Sequence, residues 1–548
     1  MSLKINLFLF FCFSLICVSQ ADTIVVQPFI DNNPLKQCQP NSPQYNNNIL
    51  CPDLLSSIDY FTTTNSNNDT LELLLLDGLY TTVNGSSGVT IPSTIKNFIV
   101  NSYSIVVSQL STSSVVLSPT NTSFTSYLFT TSTLKSSLYF INISNIELEN
   151  SRSSLILIQN VIPTLNVYID GCTFYNQTLA YYSIISLLEF YQGEYLYTIP
   201  LTISKSNFTK NNGKLVSALG TNVQLTNVNA VGNQGSANAI AIGVGYFLNI
   251  NNCNFTSNSY LYSTVYHIGS QLEIDNSVFS NNNCQGQTNG VLSYMPSINV
   301  TSPVFKITST QFHNNISPNG GAIYTKGYQN GNRIQASITN CKFNGNQANG
   351  LSGTGSGGAL YLYYSLLNIV STTFDSNSAA AYGGSVTMYN SLVTMDQCTI
   401  ENSETFYGGL NYGGALYVQQ SNLTLTNSVI LNNIARFGEN IYCTLSSISS
   451  VGSNFSSSST IQTLGLNCDG DCTYIDQIEN ICPPTPSSSS THHNSEDANK
   501  KRGKVIAIAL GSTIGALFFI FILYILYRKY YVLPRQQHLN NHIRKPLL

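Results

Sequence analysis

The sequence predicts an all-β solenoid, a parallel β-helix, and three observations carry that prediction. One unit recurs at spacings of 22 to 34 residues through most of the 548-residue chain. Within a unit, apolar residues alternate as in Leu248-x-Ile250, then skip to Cys253-x-Phe255, the pattern of short strands broken by a corner. The units are rich in Ser, Thr, Asn and Gly and hold no helix-length periodic run.

The clearest copy is Ala336-Ser-Ile-Thr-Asn-Cys-Lys-Phe-Asn-Gly-Asn346, closed after a Gly-rich loop by Ser356-Gly-Gly-Ala-Leu-Tyr361. Aligned on Phe343, the copies are Leu148, Phe174, Phe208, Ala230, Phe255, Phe279, Phe312, Phe343, Phe374, Ile400 and Ile430. Five residues earlier every copy is apolar: Ile143, Ile169, Ile203, Leu225, Ile250, Ile274, Ile307, Ile338, Ile369, Met395 and Leu425. Three residues later most copies carry Asn: Asn211, Asn233, Asn258, Asn282, Asn315, Asn346, Asn377 and Asn433, with Ser151, Gln177 and Ser403 as departures.

Each unit therefore reads as two or three short strands separated by corners. Asn tolerates the left-handed backbone that such a corner needs. One unit cannot bury its own apolar face, whereas stacked copies bury it between them. Stacking places the Phe positions in an inner column and lets the Asn amides bond from coil to coil. About eleven coils at roughly 4.8 Å each make a rod of about 50 Å. A leucine-rich repeat is the competing solenoid, and its Leu spacing is absent.

The pairing of Phe-x-x-Asn with Gly-Gly-Ala-Ile/Leu resembles the polymorphic outer membrane protein type of repeat. The first motif stands at Phe208–Asn211, Phe255–Asn258, Phe279–Asn282, Phe312–Asn315, Phe343–Asn346 and Phe374–Asn377. The second stands at Gly320–Ile323, Gly357–Leu360 and Gly413–Leu416, with a variant at Gly383–Val386. The resemblance covers 305–442 well and 140–304 more weakly. It implies a right-handed, pectin-lyase-like β-helix with a surface or adhesive role, and no particular activity. Bacterial members end in a membrane β-barrel; this chain ends differently.

Taken in order, residues 1–21 read as a secretory signal peptide, with Lys4, an apolar core and Ser19-Gln20-Ala21 as the cleavage site. Residues 22–66 read as an N-terminal cap with a helix from Pro52 to Tyr60 and a local disulfide between Cys38 and Cys51. The repeats occupy 67–442, opened by the strand Leu71–Leu76, with irregular strand-like segments over 90–140. Residues 443–482 read as a cap in which Cys443, Cys468, Cys472 and Cys482 make two disulfides whose pairing the sequence leaves open. A zinc site at Cys468 and Cys472 is the sharper alternative, disfavoured in a secreted chain. Residues 483–504 are a Pro/Ser-rich stalk. Val505–Tyr527 is 23 residues without a charge, about 35 Å as a helix, and reads as one transmembrane span. Residues 528–548 are then a cytoplasmic tail, too short for a catalytic domain.

Only 9% of residues are charged and the formal net charge is −3. Nothing basic is available for nucleic acid. The outward faces must be Ser, Thr and Asn, a surface open to weak self-association unless sugars cover it. Sequons stand at Asn68, Asn84, Asn121, Asn142, Asn176, Asn207, Asn254, Asn299, Asn315, Asn422 and Asn454. Cys172, Cys253, Cys341 and Cys398 share one column two before the Phe position and read as buried free thiols, while Cys284 reads as a loop cysteine.

No catalytic cluster is evident. Asp170, Asp275 and Asp396 share a column but belong to distant coils, and Glu189 and Glu194 lack a His or Arg partner. No cofactor or metal site is expected. The expected protein is a single-pass type I glycoprotein of the plasma membrane, its N-terminus outside. It displays a non-catalytic rod for adhesion, recognition or surface-coat interaction, with glycans or other cell-surface proteins as partners. The alternative is a membrane-tethered polysaccharide lyase or glycoside hydrolase.

Overall fold

In the computed structural model, the unit around Phe343 makes one turn of four strands. A long strand, Ile334–Thr339, leads to the Phe strand, Lys342–Asn344, then a short strand, Gln347–Ala348, and a return strand, Leu360–Tyr363. Single left-handed residues make three of the corners: Asn340 (φ 54°), Gly345 (φ 65°) and Tyr364 (φ 50°). One such residue turns the chain without using up a hydrogen-bonded turn, and Asn and Gly carry the conformation most readily.

The structure describes residues 199–456 apart from 287–289, 298–299, 330–332, 351–352 and 408–410, then 465–476 and 479–480; before 199 it describes separate stretches between 22 and 188. The chain divides into two units, Met1–Pro483 and Pro484–Leu548. The second lies outside the described residues, and so do the segments expected as a signal peptide (1–21), a stalk (483–504), a membrane span (505–527) and a tail (528–548). Among the described residues no helix is long and apolar enough to cross a membrane.

The coils stack in parallel. All eleven aligned positions are direct register partners, from Leu148 against Phe174 to Ile400 against Ile430. The apolar column five residues earlier pairs in the same order, from Ile143 to Leu425. The Phe strands form one 14-stranded sheet, so the stack is longer than eleven coils. The added coils are at Gly78–Tyr80, Val115–Leu117 and Asn454–Phe455. Fourteen coils extend about 65 Å.

Three inward columns hold the stack together. The phenyl rings lie face to face, 4.7 Å apart for Phe255 and Phe279 and 4.9 Å for Phe343 and Phe374. The asparagines form an unbroken amide ladder: Asn211, Asn233, Asn258, Asn282, Asn315 and Asn346 each donate Nδ2–H to the Oδ1 of the next, at 2.9 to 3.0 Å. The same Nδ2 groups donate to the carbonyl of the preceding coil's Phe position, as Asn346 does to Phe312 at 2.9 Å. The third column holds the Cys, Ser and Thr residues two before the Phe position. There Ser277 Oγ accepts from the Cys253 amide and donates to its own Asp275 carbonyl. Cys172, Cys253, Cys341 and Cys398 are buried free thiols, as expected.

The Gly-Gly pairs let the loops stack at sheet spacing. Gly357 is left-handed (φ 66°), and a Cβ on Gly358 would run into the carbonyl oxygen of Gly384 in the next coil.

Both ends depart in detail from the sequence reading. The helix runs Leu54–Thr64, and its Ile58 and Phe61 are buried. The strand Asp22–Val26 pairs in parallel with Thr70–Leu75 on one side and Asn48–Cys51 on the other, so the cap segment joins the first coil's sheet. At the far end parallel pairing continues beyond 442 through Ser447–Val451, Leu466–Asp469 and Thr473–Asp476, and closes on an antiparallel pair with Glu479–Asn480. Cys284 is not a loop residue: it lies in the short strand Asn283–Cys284, points inward and is buried, because it stands two residues beyond the inward ladder residue Asn282.

Candidate functional site

Strand alternation decides what the rod shows to its surroundings. On the return strand Leu360 and Leu362 point in, so Tyr361 and Tyr363 point out. Stacking turns that alternation into a column: Tyr324, Tyr361, Thr387, Tyr417 and Tyr442 are successive register partners. Tyr324 and Tyr361 stack at 5.0 Å, and Tyr417 and Tyr442 at 5.5 Å. Thr387 interrupts the column, and Tyr389 of the same strand leans across the gap to 5.5 Å from Tyr361 and 5.7 Å from Tyr417.

A second column runs beside it on the Gly-rich loops, where Tyr382, Tyr412 and Phe437 pair in register. Tilted contacts join the two columns: Tyr382 to Tyr417 at 4.8 Å and 57°, Tyr412 to Tyr442 at 4.7 Å and 63°. Phe406 and Ile434 stand exposed on the same coils, and Tyr407, 51% exposed, covers Gly353. The result is a continuous aromatic ridge over five coils, in which Tyr417 and Tyr442 are buried under their neighbours and Tyr324, Tyr361, Tyr382, Tyr389 and Tyr412 are half-buried.

Ring faces that stack on one another are spent. Tyr382, Tyr412 and Phe437 stack on one another at 5.7 and 5.1 Å, so the tilted Tyr389 and the exposed Tyr407 are the ones that offer a face to a ligand. The hydroxyls supply polar anchors. Tyr417 donates to Gln419 Oε1 at 3.0 Å and Tyr442 to Asp469 Oδ2 at 2.7 Å. Burial, and then neighbouring phenols, push the Tyr389 and Tyr417 hydroxyls above their ordinary range, so they stay protonated donors. Formal charge is sparse: Lys326 lies at one end and Arg436 sits 5.2 Å over Phe437 at the other. A surface of rings and hydroxyls with few charges suits a neutral, hydroxylated ligand.

The sequons fall elsewhere. Asn207 and Asn454 are exposed on Phe strands, with Asn254 half-buried on the same face. Asn142 and Asn422 lie on long strands, and Asn176 is a left-handed corner. Among the described residues none is on a return strand of the ridge. Asn315 corrects the sequence reading: it is a ladder residue, fully buried, with Nδ2 donating to Phe279 O and Asn346 Oδ1. The folded coil has no room for a glycan there. Asn68, Asn84, Asn121 and Asn299 lie outside the described residues.

The disulfide candidates resolve in part. Cys38 and Cys51 are bonded, and Cys443 is bonded to Cys472 with Cα atoms 6.0 Å apart. A thiolate of Cys472 is therefore not available to zinc. Cys468 is also in disulfide linkage, and Cys482 lies outside the described residues.

The acidic residues scatter as the sequence implied. Asp170 accepts from Ser204 Oγ at 2.6 Å and faces Lys205 at 3.8 Å; Asp275 accepts from Thr308. Four coils separate each of Asp170, Asp275 and Asp396 from the next. Glu189 and Glu194 are outside the described residues. The sequence reading missed Asp375 and Glu401, register partners on adjacent coils and outward on the Phe sheet. Each stands one residue after an aligned position, a signal the repeat alignment already contained. Asp375 accepts from Asn344 Nδ2 at 2.9 Å and Asn402 Nδ2 at 3.0 Å.

No family model and no curated protein matches the chain. Among solved structures, tailspike protein 3 of bacteriophage CBA120 is similar with a TM-score of 0.39 and 11% identity, over 78% of this chain and 59% of that one. The chain thus spans about three fifths of that structure's length. The strand register, not this likeness, establishes the parallel β-helix.

Proposed function

We propose that this protein is a non-catalytic, single-pass type I cell-surface glycoprotein whose β-helical rod recognises carbohydrate through its aromatic ridge. One observation carries the reading: the ridge is the rod's one extended array of surface rings among the described residues, with Tyr407 exposed and Tyr389 half-buried above the buried Tyr417 and Tyr442, and no described sequon lies on it. Glycans on the other faces leave the ridge bare and oppose lateral association of the weakly charged rods. The leader-like start, the uncharged segment 505–527 and the likeness of the repeats to polymorphic outer membrane protein repeats support surface display and a pectin-lyase-like, right-handed winding.

The test displays the full-length protein on cells and measures capture of a panel of neutral and acidic polysaccharides, with product release assayed in the same wells. Saturable capture of a neutral polysaccharide, lowered at least tenfold by Tyr389→Ala with Tyr407→Ala, supports the reading. Capture indifferent to both substitutions rejects it. The Asp375–Glu401 pair favours the glycan-cleaving alternative, since two carboxyls on adjacent coils are the elements such chemistry uses. Release of shortened sugar that Glu401→Gln abolishes would establish that alternative.

A further inference from the structure

A further inward column, Ile242, His267, Tyr294, Thr325 and Leu362, runs along the return strands and holds an imidazole. His267 lies within the strand Val265–Asp275 and is fully buried. Its register partners are Ile242 on the coil before and Tyr294 on the coil after. The Tyr294 ring stacks on it at 5.7 Å and stacks in turn on Phe305 at 5.5 Å. Tyr294 is satisfied, its hydroxyl shared between the carbonyls of Gly269 and Ser270. The imidazole is not. Nε2 lies 3.0 Å from the Gln271 carbonyl, an acceptor, so the proton of the neutral ring sits on Nε2. Nδ1 is left with no hydrogen-bond partner.

No countercharge is at hand. The groups shown against the ring, Ile242, Tyr294 and the Gln271 carbonyl, are uncharged. Glu273 and Lys306 sit at outward positions of their strands, and Asp275 is exposed. Tyr294 is the titratable side chain stacked on the ring, and Cys284, on the short strand of the next coil, touches Thr264 at 3.8 Å. Burial raises both, Cys284 to about 12, so both stay neutral.

We propose that His267 is an acid-sensitive seam: a proton on its ring parts the coil of residues 254–275 from its neighbours while the rest of the rod stays closed. Burial lowers the His267 pKa from 6.5 to about 4, with the Gln271 and Ile242 carbonyls opposing it only in part. The sign follows. The opened coil binds the proton more readily than the closed one, so closure is at full strength above about pH 6.5 and weakens as pH falls towards 4. The opened population rises roughly 20-fold between pH 7 and pH 5.

The buried thiols report the event, because they lie at known places along the rod. The full-length protein is pulsed with a pyridyl disulfide, which reads thiols in acid as well as at neutral pH, and labelled cysteines are located by peptide mass. The expected result is a rise of about tenfold or more at Cys253 and Cys284 between pH 7 and pH 5, with little change at Cys172 and Cys398. The rise disappears in His267→Leu, which matches the apolar Ile242 and Leu362 of the same column, and in His267→Gln, which keeps a polar neutral group. Native circular dichroism of both variants at pH 7 establishes that they fold. The proposal fails if all thiols open together, if none does, or if folded variants open in acid as the natural protein does.

Discussion

Asn346 donates twice to Asn377: its Nδ2 and its backbone N–H both reach the same Oδ1, at 3.0 Å each. The pattern repeats down the column, so each ladder oxygen closes two bonds from the coil before it. A ladder Asn is thus held by both neighbouring coils.

Asn346→Ala should therefore be among the most damaging polar substitutions. It removes the two acceptor bonds that Asn315 uses and the donor bonds to Asn377 and Phe312. Unpaired buried amides cost about 1–3 kcal/mol each. Urea unfolding should show a loss of roughly 3 kcal/mol or more. A loss under about 1 kcal/mol would mean that water replaces the ladder.

Glycan occupancy gives an independent check on which face is inward. Enzymatic release in heavy water followed by peptide mapping should mark Asn207, Asn422 and Asn454, which are exposed, and leave Asn315 unmarked. Asn315→Gln should lower stability without changing the carbohydrate mass. A marked Asn315 in folded protein contradicts the ladder.

The loop glycines separate two reasons for being glycine. Gly358→Ala drives a Cβ into the Gly384 carbonyl and should cost about 2 kcal/mol. Gly232→Asn should be nearly neutral. Its φ of 65° is a corner that Asn281 and Asn314 occupy in other coils, and its Cβ would have only Lys210 Cγ nearby, at 3.9 Å. Equal melting temperatures for the two variants would refute the stacking argument.

The Cys443–Cys472 bond closes a separation of 29 residues at the C-terminal end. On chain entropy alone Cys443→Ser with Cys472→Ser should cost roughly 3–4 kcal/mol. Since coils couple mainly to neighbours, hydrogen exchange should quicken in 441–476 first and leave the coils near Phe255 protected. Uniform quickening would indicate one all-or-none unit.

The sequence displays the columns because every inward position repeats within a few residues of the last. Ile338, Cys341, Phe343 and Asn346 are close neighbours in the chain, and the alignment built on them matches the register throughout. Three coils escaped because their own residues break the rule: Tyr80 and Leu117 lack an Asn three later, and Phe455 has Ser450 where an apolar residue is expected. The aromatic ridge escaped for a different reason. Tyr361, Tyr389, Tyr417 and Tyr442 lie beyond loops of unequal length, and only coil-to-coil register brings them together. Asn315 carried a visible contradiction, since one side chain cannot be both a sequon on the surface and a ladder residue in the core.

The inward columns ask the same thing of every coil, and each coil answers only to the one above and the one below. Such an object behaves as a ruler with interchangeable graduations. A whole coil, about thirty residues from one ladder Asn to the next, is the natural quantum by which its reach can grow or shrink over evolutionary time. Whatever is carried on an outward column then changes in count without changing in kind. A longer descendant would present more tyrosines at the same pitch, and so would trade length for valency.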